Sequence, residues 1–191
     1  PKASFRLNQQ VENLLNMSRL ETGLLKPKLD WCDVSEVIYE VIKRVEENGV
    51  SQKLSIKINP NIPLFKIDKV MLDQIIYNLV YNATRYTAPD DIIEIAASNV
   101  LDKLQLVIAD SGGGFPESEI DNVFDKFYRL KNSKTGGTGL GLSIVKGFTE
   151  ALNGKVHLEN LQNGGARFTL EFKAKSSTFI EETMSKHMSD D

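Results

Sequence analysis

The sequence has 191 residues, of which 41% are hydrophobic and 26% are charged, so it can bury a globular core but is too short for several large domains. Its formal net charge of -3 comes without a cluster of basic residues, which argues against binding to nucleic acid. The single cysteine, Cys32, cannot form an internal disulfide, and no Cys/His spacing suggests zinc, so a reducing, cytoplasmic compartment is expected.

The N-terminal segment is predicted to form an amphipathic helix over residues 5–21. Its apolar or small residues recur at steps of three and four; they are Leu7, Val11, Leu14, Leu15 and Ser18. A lone helix cannot cover such a stripe, so it either lies on the following domain or pairs with another helix in a bundle, and we favour pairing. The chain begins without methionine or a signal sequence, which we interpret as a fragment of a longer protein.

The remaining periodicities predict an α+β fold. Helices are expected at residues 34–47, at residues 69–86 and from a glycine cluster at residues 136–141 to residue 152. Strands are expected at residues 54–58, 92–99, 103–110, 155–159 and 166–172. Hairpins replace a strict alternation of strands and helices, so these elements predict a two-layer sandwich, with helices on one face of a mixed or antiparallel sheet. Residues from 173 onward are predicted to be loosely held.

A polar stripe lies on the predicted helix at residues 69–86. Asn78, Asn82 and Tyr86 are four residues apart, and Arg85 is beside them. Amide oxygens are hard ligands that suit Mg²⁺, which completes its shell with water and phosphate oxygens, and Arg85 could then contact phosphate. For this segment alone, a solvated helix face that carries asparagines is the simpler interpretation.

The first glycine cluster follows a strand that ends at Asp110, and it consists of Gly112, Gly113 and Gly114. Glycines remove the Cβ atoms where a ligand approaches the backbone, or they allow a turn with positive φ. A carboxylate at the strand end can accept a hydrogen bond from an amine such as that of adenine. An ordinary glycine turn with a solvated aspartate explains the segment equally well.

The second glycine cluster, at residues 136–141, leads directly into a helix, so free backbone amides and the helix dipole there could bind phosphate. It is not a P-loop, because no lysine precedes Ser143, and it is not the dinucleotide-binding GxGxxG pattern, because positions 142 and 144 are Leu and Ile. Both familiar nucleotide-binding folds are thereby disfavoured.

Aromatic and basic residues lie between the two clusters, at residues 124–129. Phe124 and Phe127 are expected to pack in the core while Arg129 reaches a ligand. The polar composition of residues 130–135 suits a lid.

In this order, the segments resemble the ATP-binding domain of sensor histidine kinases, which belong to the GHKL superfamily with Hsp90, type II topoisomerase ATPase domains and MutL. The likeness covers residues 33–172. Four boxes have counterparts: the N box at residues 78–86, the first glycine box at 110–114, the F box at 124–129 and the second glycine box at 137–143. The third glycine box departs from the family pattern at Asn163 and Ala166.

The resemblance implies a Bergerat-type ATP-binding fold with ATP and Mg²⁺ as cofactors. Asn82 would be the principal Mg²⁺ ligand with Asn78 assisting, Asp110 would recognise adenine, and Tyr86 would line the pocket. Further ATP contacts are implied for Arg85, Gly112, Gly114, Lys126, Arg129, Gly137, Thr138, Gly139, Leu140, Gly141 and Leu142.

The resemblance also implies three regions. Residues 1–26 would be the second helix of a dimerisation hairpin, residues 33–173 the ATP-binding catalytic domain, and residues 174–191 a charged, flexible tail. The first hairpin helix, which carries the phosphoacceptor histidine, has no counterpart here. His157 lies in a predicted strand and is expected on its surface, His187 lies in the tail, and neither matches the acceptor motif.

By this resemblance, the γ-phosphate of ATP passes to a histidine on the absent helix and then to a response regulator receiver domain. The full-length protein would be a homodimer anchored in the inner membrane of a bacterium, and this chain alone would bind ATP without phosphorylating itself.

Two other functions stay open. A conformational ATPase of the Hsp90 or topoisomerase kind shares the asparagine and Asp-x-Gly-x-Gly elements, although residues 124–129 and the preceding helix fit it poorly. A non-catalytic, dimerising nucleotide-binding module would show degraded nucleotide motifs, and those of this chain are intact.

Overall fold

The computed structural model describes residues 2–130 and 138–178, with side chains from residue 7 onward. The helices are α1 (Lys2–Glu21), α2 (Val34–Glu47), α3 (Lys69–Tyr86) and α4 (Gly141–Ala151). The strands are β1 (Asp30–Cys32), β2 (Lys53–Ile58), β3 (Phe65–Ile67), β4 (Ile92–Val100), β5 (Lys103–Asp110), β6 (Gly154–Asn160) and β7 (Ala166–Phe172). A 3-10 turn spans Ile120–Asn122. Among these described helices, none has the length and apolar character needed to cross a membrane.

Five strands form a mixed sheet in the order β2-β4-β5-β7-β6. Strands β2 and β4 pair in parallel, and the other neighbours are antiparallel. Alternate residues such as Ile93, Ile95 and Leu106 are buried under the helices, whereas Glu94 and Gln105 point to the other face. Helices α2, α3 and α4 contact the sheet, and α3 packs against both α2 and α4. The expected α+β sandwich with a mixed sheet is therefore confirmed.

Helix α1 packs on the domain through one face. Asn13 and Met17 are buried on that face, and Leu20 lies over Gly147 of α4. The predicted apolar stripe lies elsewhere on the helix, in residues that are 48% to 61% exposed: Leu7, Val11, Leu14 and Leu15. The domain therefore leaves the stripe uncovered, and pairing with another helix stays a prediction.

A second, small sheet was absent from the sequence prediction. Strands β1 and β3 pair antiparallel, and the backbone N–H of Lys66 in β3 donates to the carbonyl of Lys175 at 2.8 Å. Ser176 is buried beside this contact. Residues 174–178 are thus packed on the domain, which corrects the predicted start of a flexible tail at residue 174. Residues 179–191 lie outside the described part of the chain, so the rest of that expectation stays a prediction.

The carboxylate of Asp68 joins the linker after α1 to the start of α3. It is buried, and it accepts hydrogen bonds from the backbone N–H of Met71 at 3.0 Å and of Lys28 at 2.7 Å. Asp33 caps α2 in the same way, accepting from Ser35 N–H at 2.8 Å, but it is exposed and its described hydrogen bonds stay within its own helix. The two caps therefore differ in burial and in what they connect.

Replacement of Asp68 by alanine is expected to lower the free energy of unfolding by about 2–3 kcal/mol, because it removes a helix cap and leaves the Lys28 N–H without its acceptor. The matched control, Asp33→Ala, is expected to cost about 1 kcal/mol. Urea denaturation followed by circular dichroism measures both values. Equal losses in the two variants would contradict the role of Asp68 in holding the linker.

Candidate functional site

A cavity of about 130 Å³ opens between α1, α3, the segment before residue 131 and the start of α4. Its lining includes predicted site residues from the N box, the F box and the second glycine box: Asn78, Asn82, Arg85, Tyr86, Arg129, Thr138, Gly139, Gly141 and Leu142. The fold therefore brings together three segments that are far apart in the sequence.

The two asparagines of α3 stand in different environments. Asn78 is 5% exposed, its Nδ2 donates to the Gln74 carbonyl at 2.8 Å, and its Oδ1 accepts from Asn13 Nδ2 at 3.5 Å. Asn82, one turn later, is partly exposed and lines the same cavity. The two side chains thus differ in burial and in hydrogen bonding, and the order in which Asn82 is the principal ligand and Asn78 assists stays a prediction.

The donor set of this cavity fits Mg²⁺. Within the described residues, no group of three or more His, Cys, Asp or Glu side chains could hold a metal ion. The carboxamide oxygens of Asn78 and Asn82 are hard donors, and Mg²⁺ takes few protein ligands when phosphate oxygens and water complete its shell. The residues present therefore suit a magnesium ion that arrives with a nucleotide rather than a metal held by the protein alone.

Asp110 lies at the end of β5 in a narrow, largely apolar recess that adjoins the cavity. The two spaces share four lining residues, which are Asn82, Tyr86, Phe115 and Leu130. Burial raises the pKa of the Asp110 carboxyl; backbone N–H groups of Gly112, at 2.9 Å, and of Ala166 donate to it and oppose that shift. Such a partly desolvated acceptor suits the amino group of a purine base.

The third glycine box supports the backbone of Asp110. Gly164 and Gly165 have φ angles of 91° and 95°, which favour glycine. A Cβ atom on Gly165 would collide with the carbonyl oxygen of Asp110. The departures from the family pattern at Asn163 and Ala166 leave this packing intact, since the Ala166 amide donates to the Asp110 carboxyl.

Gly139 permits the second glycine box to lie against the F box. Its φ is 71°, and a Cβ atom there would be 2.7 Å from both the carbonyl carbon of Phe127 and the carbonyl oxygen of Tyr128. Gly141 is similarly close to α3, because a Cβ on it would lie 3.2 Å from Asn78 Oδ1. The backbone of the second glycine box thus packs on the backbone of the F box and on Asn78 of the N box, beside the cavity.

The F box is only partly as predicted. Phe124 packs edge-on against Phe168, with ring centroids 6.3 Å apart. The prediction that Phe127 packs in the core is wrong, since its side chain is 65% exposed and its φ is 63°. This left-handed turn exposes Phe127 and places the next residue inward, where the Tyr128 hydroxyl lies 2.6 Å from Glu119.

Several predicted residues lie elsewhere. Lys126 is not among the residues that line the cavity; its Nζ is 2.7 Å from Glu21 Oε1 at the end of α1. The Leu140 side chain is fully buried in the core. Gly114 lines the recess of Asp110, and Gly112 contributes its amide to that carboxyl. Gly137 and residues 131–135 of the proposed lid lie outside the described residues.

Sequence reasoning missed several residues of the site. Gln9 and Asn13 of α1, and Tyr81 of α3, line the cavity. Asn160 of β6 clamps the first glycine segment: its Oδ1 accepts from Phe115 N–H at 2.8 Å, and its Nδ2 donates to the Phe115 carbonyl at 2.7 Å. A single asparagine at a strand end carries no pattern that would have revealed this contact.

Residues 67–176 match the family described as histidine kinase-, DNA gyrase B-, and HSP90-like ATPase. This match covers more than half of the chain. The chain belongs to this ATPase family. The cavity and the recess of Asp110 are therefore parts of an ATPase-family domain, and the expected Bergerat-type fold is confirmed.

Curated proteins similar to the chain include sensor proteins. It is 30% identical over 173 residues to the sensor protein KdpD of Escherichia coli (strain K12), covering 90% of this chain and 19% of that protein. It is 32% identical over 162 residues to KdpD of Clostridium acetobutylicum, covering 83% and 18%. The chain thus spans less than a fifth of the length of these curated relatives.

Solved structures give the same family. The catalytic domain of the histidine kinase ThkA superimposes with a TM-score of 0.68 at 27% identity, covering 78% of this chain and 98% of that one. Full-length ShkA, solved in complex with AMPPNP, has a TM-score of 0.76 at 24% identity and covers 90% of this chain and 36% of that one. The chain therefore has the fold of a histidine kinase catalytic domain within the ATPase family.

Replacement of Asp110 by asparagine is expected to lower ATP affinity at least tenfold at neutral pH, because a charged hydrogen-bond acceptor is lost. Burial raises the pKa of the wild-type carboxyl, so the carboxylate is neutralised at a higher pH than an ordinary aspartate as the solution is acidified. The ratio of wild-type to variant affinity should therefore shrink as the pH falls through that raised pKa. Isothermal titration calorimetry across pH measures it, and a constant ratio would contradict the role of Asp110.

Proposed function

We propose that this chain is the ATP-binding catalytic core of a two-component sensor kinase, which transfers the γ-phosphate of ATP to a histidine for relay to an aspartate of a response regulator. The observation that carries the proposal is the cavity in which Asn82, Arg85 and Arg129 face the start of α4, with Asp110 in the adjoining recess.

The residues of the cavity divide the work of binding a nucleotide. Asp110 accepts a hydrogen bond from the purine, and Tyr86 and Phe115 border the base. Arg85 and Arg129 neutralise phosphate charge, and the first turn of α4 offers backbone amides without partners inside the helix. Mg²⁺ held by Asn82 with Asn78 would add charge neutralisation at the phosphates. The protein takes little covalent part in phosphoryl transfer. Its main contributions are to position the reacting groups and to neutralise the charge on the phosphates.

We assign residues 1–26 to the second helix of a dimerisation hairpin. The uncovered stripe of Leu7, Val11 and Leu14 supports pairing with the acceptor helix and with a second copy of the kinase. His157 is exposed on the edge strand β6, opposite Thr169, and His187 lies outside the described residues. Neither is proposed as the acceptor, so this chain is expected to bind ATP without labelling itself.

Replacement of Asn82 by alanine is expected to lower affinity for ATP at least tenfold when Mg²⁺ is present, and to have little effect when EDTA is added, because the lost amide oxygen acts through the metal. Calorimetry with and without Mg²⁺ measures the four affinities. The control is Asn61→Ala, at an exposed position after β2, which should bind as wild type. Equal ATP affinities of wild type and Asn82→Ala in Mg²⁺ would contradict the assignment of Asn82 as the principal Mg²⁺ ligand.

Phosphotransfer is tested by adding a separately expressed acceptor helix to the chain with radiolabelled ATP. The helix is expected to gain an acid-labile, base-stable phosphate, as a phosphohistidine does, while the chain alone stays unlabelled. ATP hydrolysis without any label on the helix would favour a conformational ATPase. Binding without hydrolysis or transfer would favour a non-catalytic module.

A further inference from the structure

Helix α3 carries a row of charged and aromatic side chains on the side that faces α2. Asp73, Tyr77, Tyr81 and Arg85 are spaced four residues apart, so they follow one another along a single stripe of the helix. Arg44 of α2 joins this row. We refer to these five residues as the α3 stack.

The first end of the α3 stack is fixed between two helices. Arg44 Nη2 lies 3.0 Å and 2.9 Å from the two carboxylate oxygens of Asp73. The guanidinium carbon of Arg44 lies 4.7 Å from the centre of the Tyr77 ring, a cation–π distance. Tyr77 is 1% exposed, so its ring has little freedom to move.

The other end of the α3 stack reaches the cavity of about 130 Å³ that is proposed to bind ATP, which we call the nucleotide cavity. The Tyr81 ring is nearly parallel to that of Tyr77, with centroids 5.7 Å apart and an interplanar angle of 11°. The guanidinium carbon of Arg85 is 5.7 Å from the centre of the Tyr81 ring. Both Tyr81 and Arg85 line the nucleotide cavity. The contacts therefore run without a gap from α2 to a cation of the proposed phosphate site.

A second cavity offers the Arg85 side chain an alternative position. It has a volume of about 190 Å³, lies between the end of α2 and α3, and is also lined by Tyr81 and Arg85. Tyr81 and Arg85 therefore both stand in the wall between the two spaces. A smaller side chain at this position would let the long Arg85 side chain turn toward the second cavity and away from the phosphates.

We propose that the α3 stack is a positioning device, in which Tyr81, held by Tyr77 and Arg44, keeps the Arg85 guanidinium over its ring and directed toward the phosphates in the nucleotide cavity. The inference rests on the proposed function, since it assigns Arg85 to the phosphates. A guanidinium restricted over an aromatic face before the ligand arrives loses less conformational entropy on binding. Tyr81 is thus a positioning residue that acts through Arg85.

The test compares ATP with adenosine, which has the base and no phosphates. Tyr81→Leu is expected to weaken ATP binding about threefold to fivefold, the loss of one cation–π contact, and to leave adenosine binding unchanged. Tyr81→Phe keeps the ring and should restore the wild-type affinity. In an Arg85→Met background, Tyr81→Leu should have no further effect, because the two residues act as one unit.

Control variants and two further measurements guard against a merely structural effect. Tyr39→Leu, at an exposed position of α2, is the matched control, and urea denaturation checks the folding of every variant. Should Tyr81→Leu fail to fold, Arg44→Met leaves both tyrosines in place and is expected to weaken ATP binding about twofold without changing adenosine binding. The Nε–H proton resonance of Arg85 should show a ring-current shift that Tyr81→Leu removes and Tyr81→Phe retains.

The outcomes distinguish the positioning role of Tyr81 from the proposed function. Normal ATP binding by Tyr81→Leu, while Asn82→Ala still binds ATP at least tenfold more weakly in Mg²⁺, overturns the positioning role and leaves the proposed function standing. Equal losses of ATP and adenosine affinity, or additive effects of Tyr81→Leu and Arg85→Met, also overturn it. Failure of the wild-type chain to bind ATP overturns the proposed function and the positioning role together.

Discussion

The burial of one face of α3 is the constraint on which the site depends. Leu72, Ile75, Ile76 and Leu79 are fully buried, and each such side chain stabilises the fold by about 1.5–3 kcal/mol relative to exposure. A rotation of the helix about its axis would expose several of them, at a cost comparable with the whole stability of a small domain. The direction of the polar stripe that carries Asn82 is therefore set by the hydrophobic core.

Around this helix, the site is formed by backbone segments that approach one another so closely that only glycine fits at the contacts. Gly139 lies against the F-box backbone, Gly141 against Asn78, and Gly165 against the carbonyl of Asp110. These glycines come from two different boxes, yet each acts by the same means, since the missing Cβ lets the backbone pack. The boxes thus meet packing requirements of one site, in addition to the ligand contacts proposed for them.

Long periodic elements could be predicted from the sequence with little error. Helices α2 and α3 and strands β5 and β7 begin and end where hydrophobic periodicity and the flanking polar residues place them. Strands β1 and β3 have three residues each, too few to show an alternation, and they exist because each pairs with a distant partner. Tertiary contacts of this kind leave no local signal.

The site was predictable in its residue types and less so in its geometry. The box motifs identified Asn82, Arg85 and Arg129, which line the cavity. Spacing alone could not tell that Lys126 would turn to Glu21, because a long flexible lysine takes whichever partner the fold presents. The sequence shows part of the α3 stack, since Tyr77 and Tyr81 are four residues apart. Arg44 lies 29 residues from Asp73, and only the fold reveals that the two are in contact.

Helix α1 contributes one face to the nucleotide cavity and carries an uncovered apolar stripe on another face. One face contributes Gln9 and Asn13 to the cavity, and its end contacts the F box through Glu21 and Lys126. Another face leaves Leu7, Val11 and Leu14 uncovered. A displacement of α1 therefore alters the lining of the cavity, and a ligand that prefers one position of α1 must bias that position in return. A partner that displaced α1 by binding the stripe would therefore be coupled to nucleotide binding through the contacts of α1 with α3, α4 and the F box.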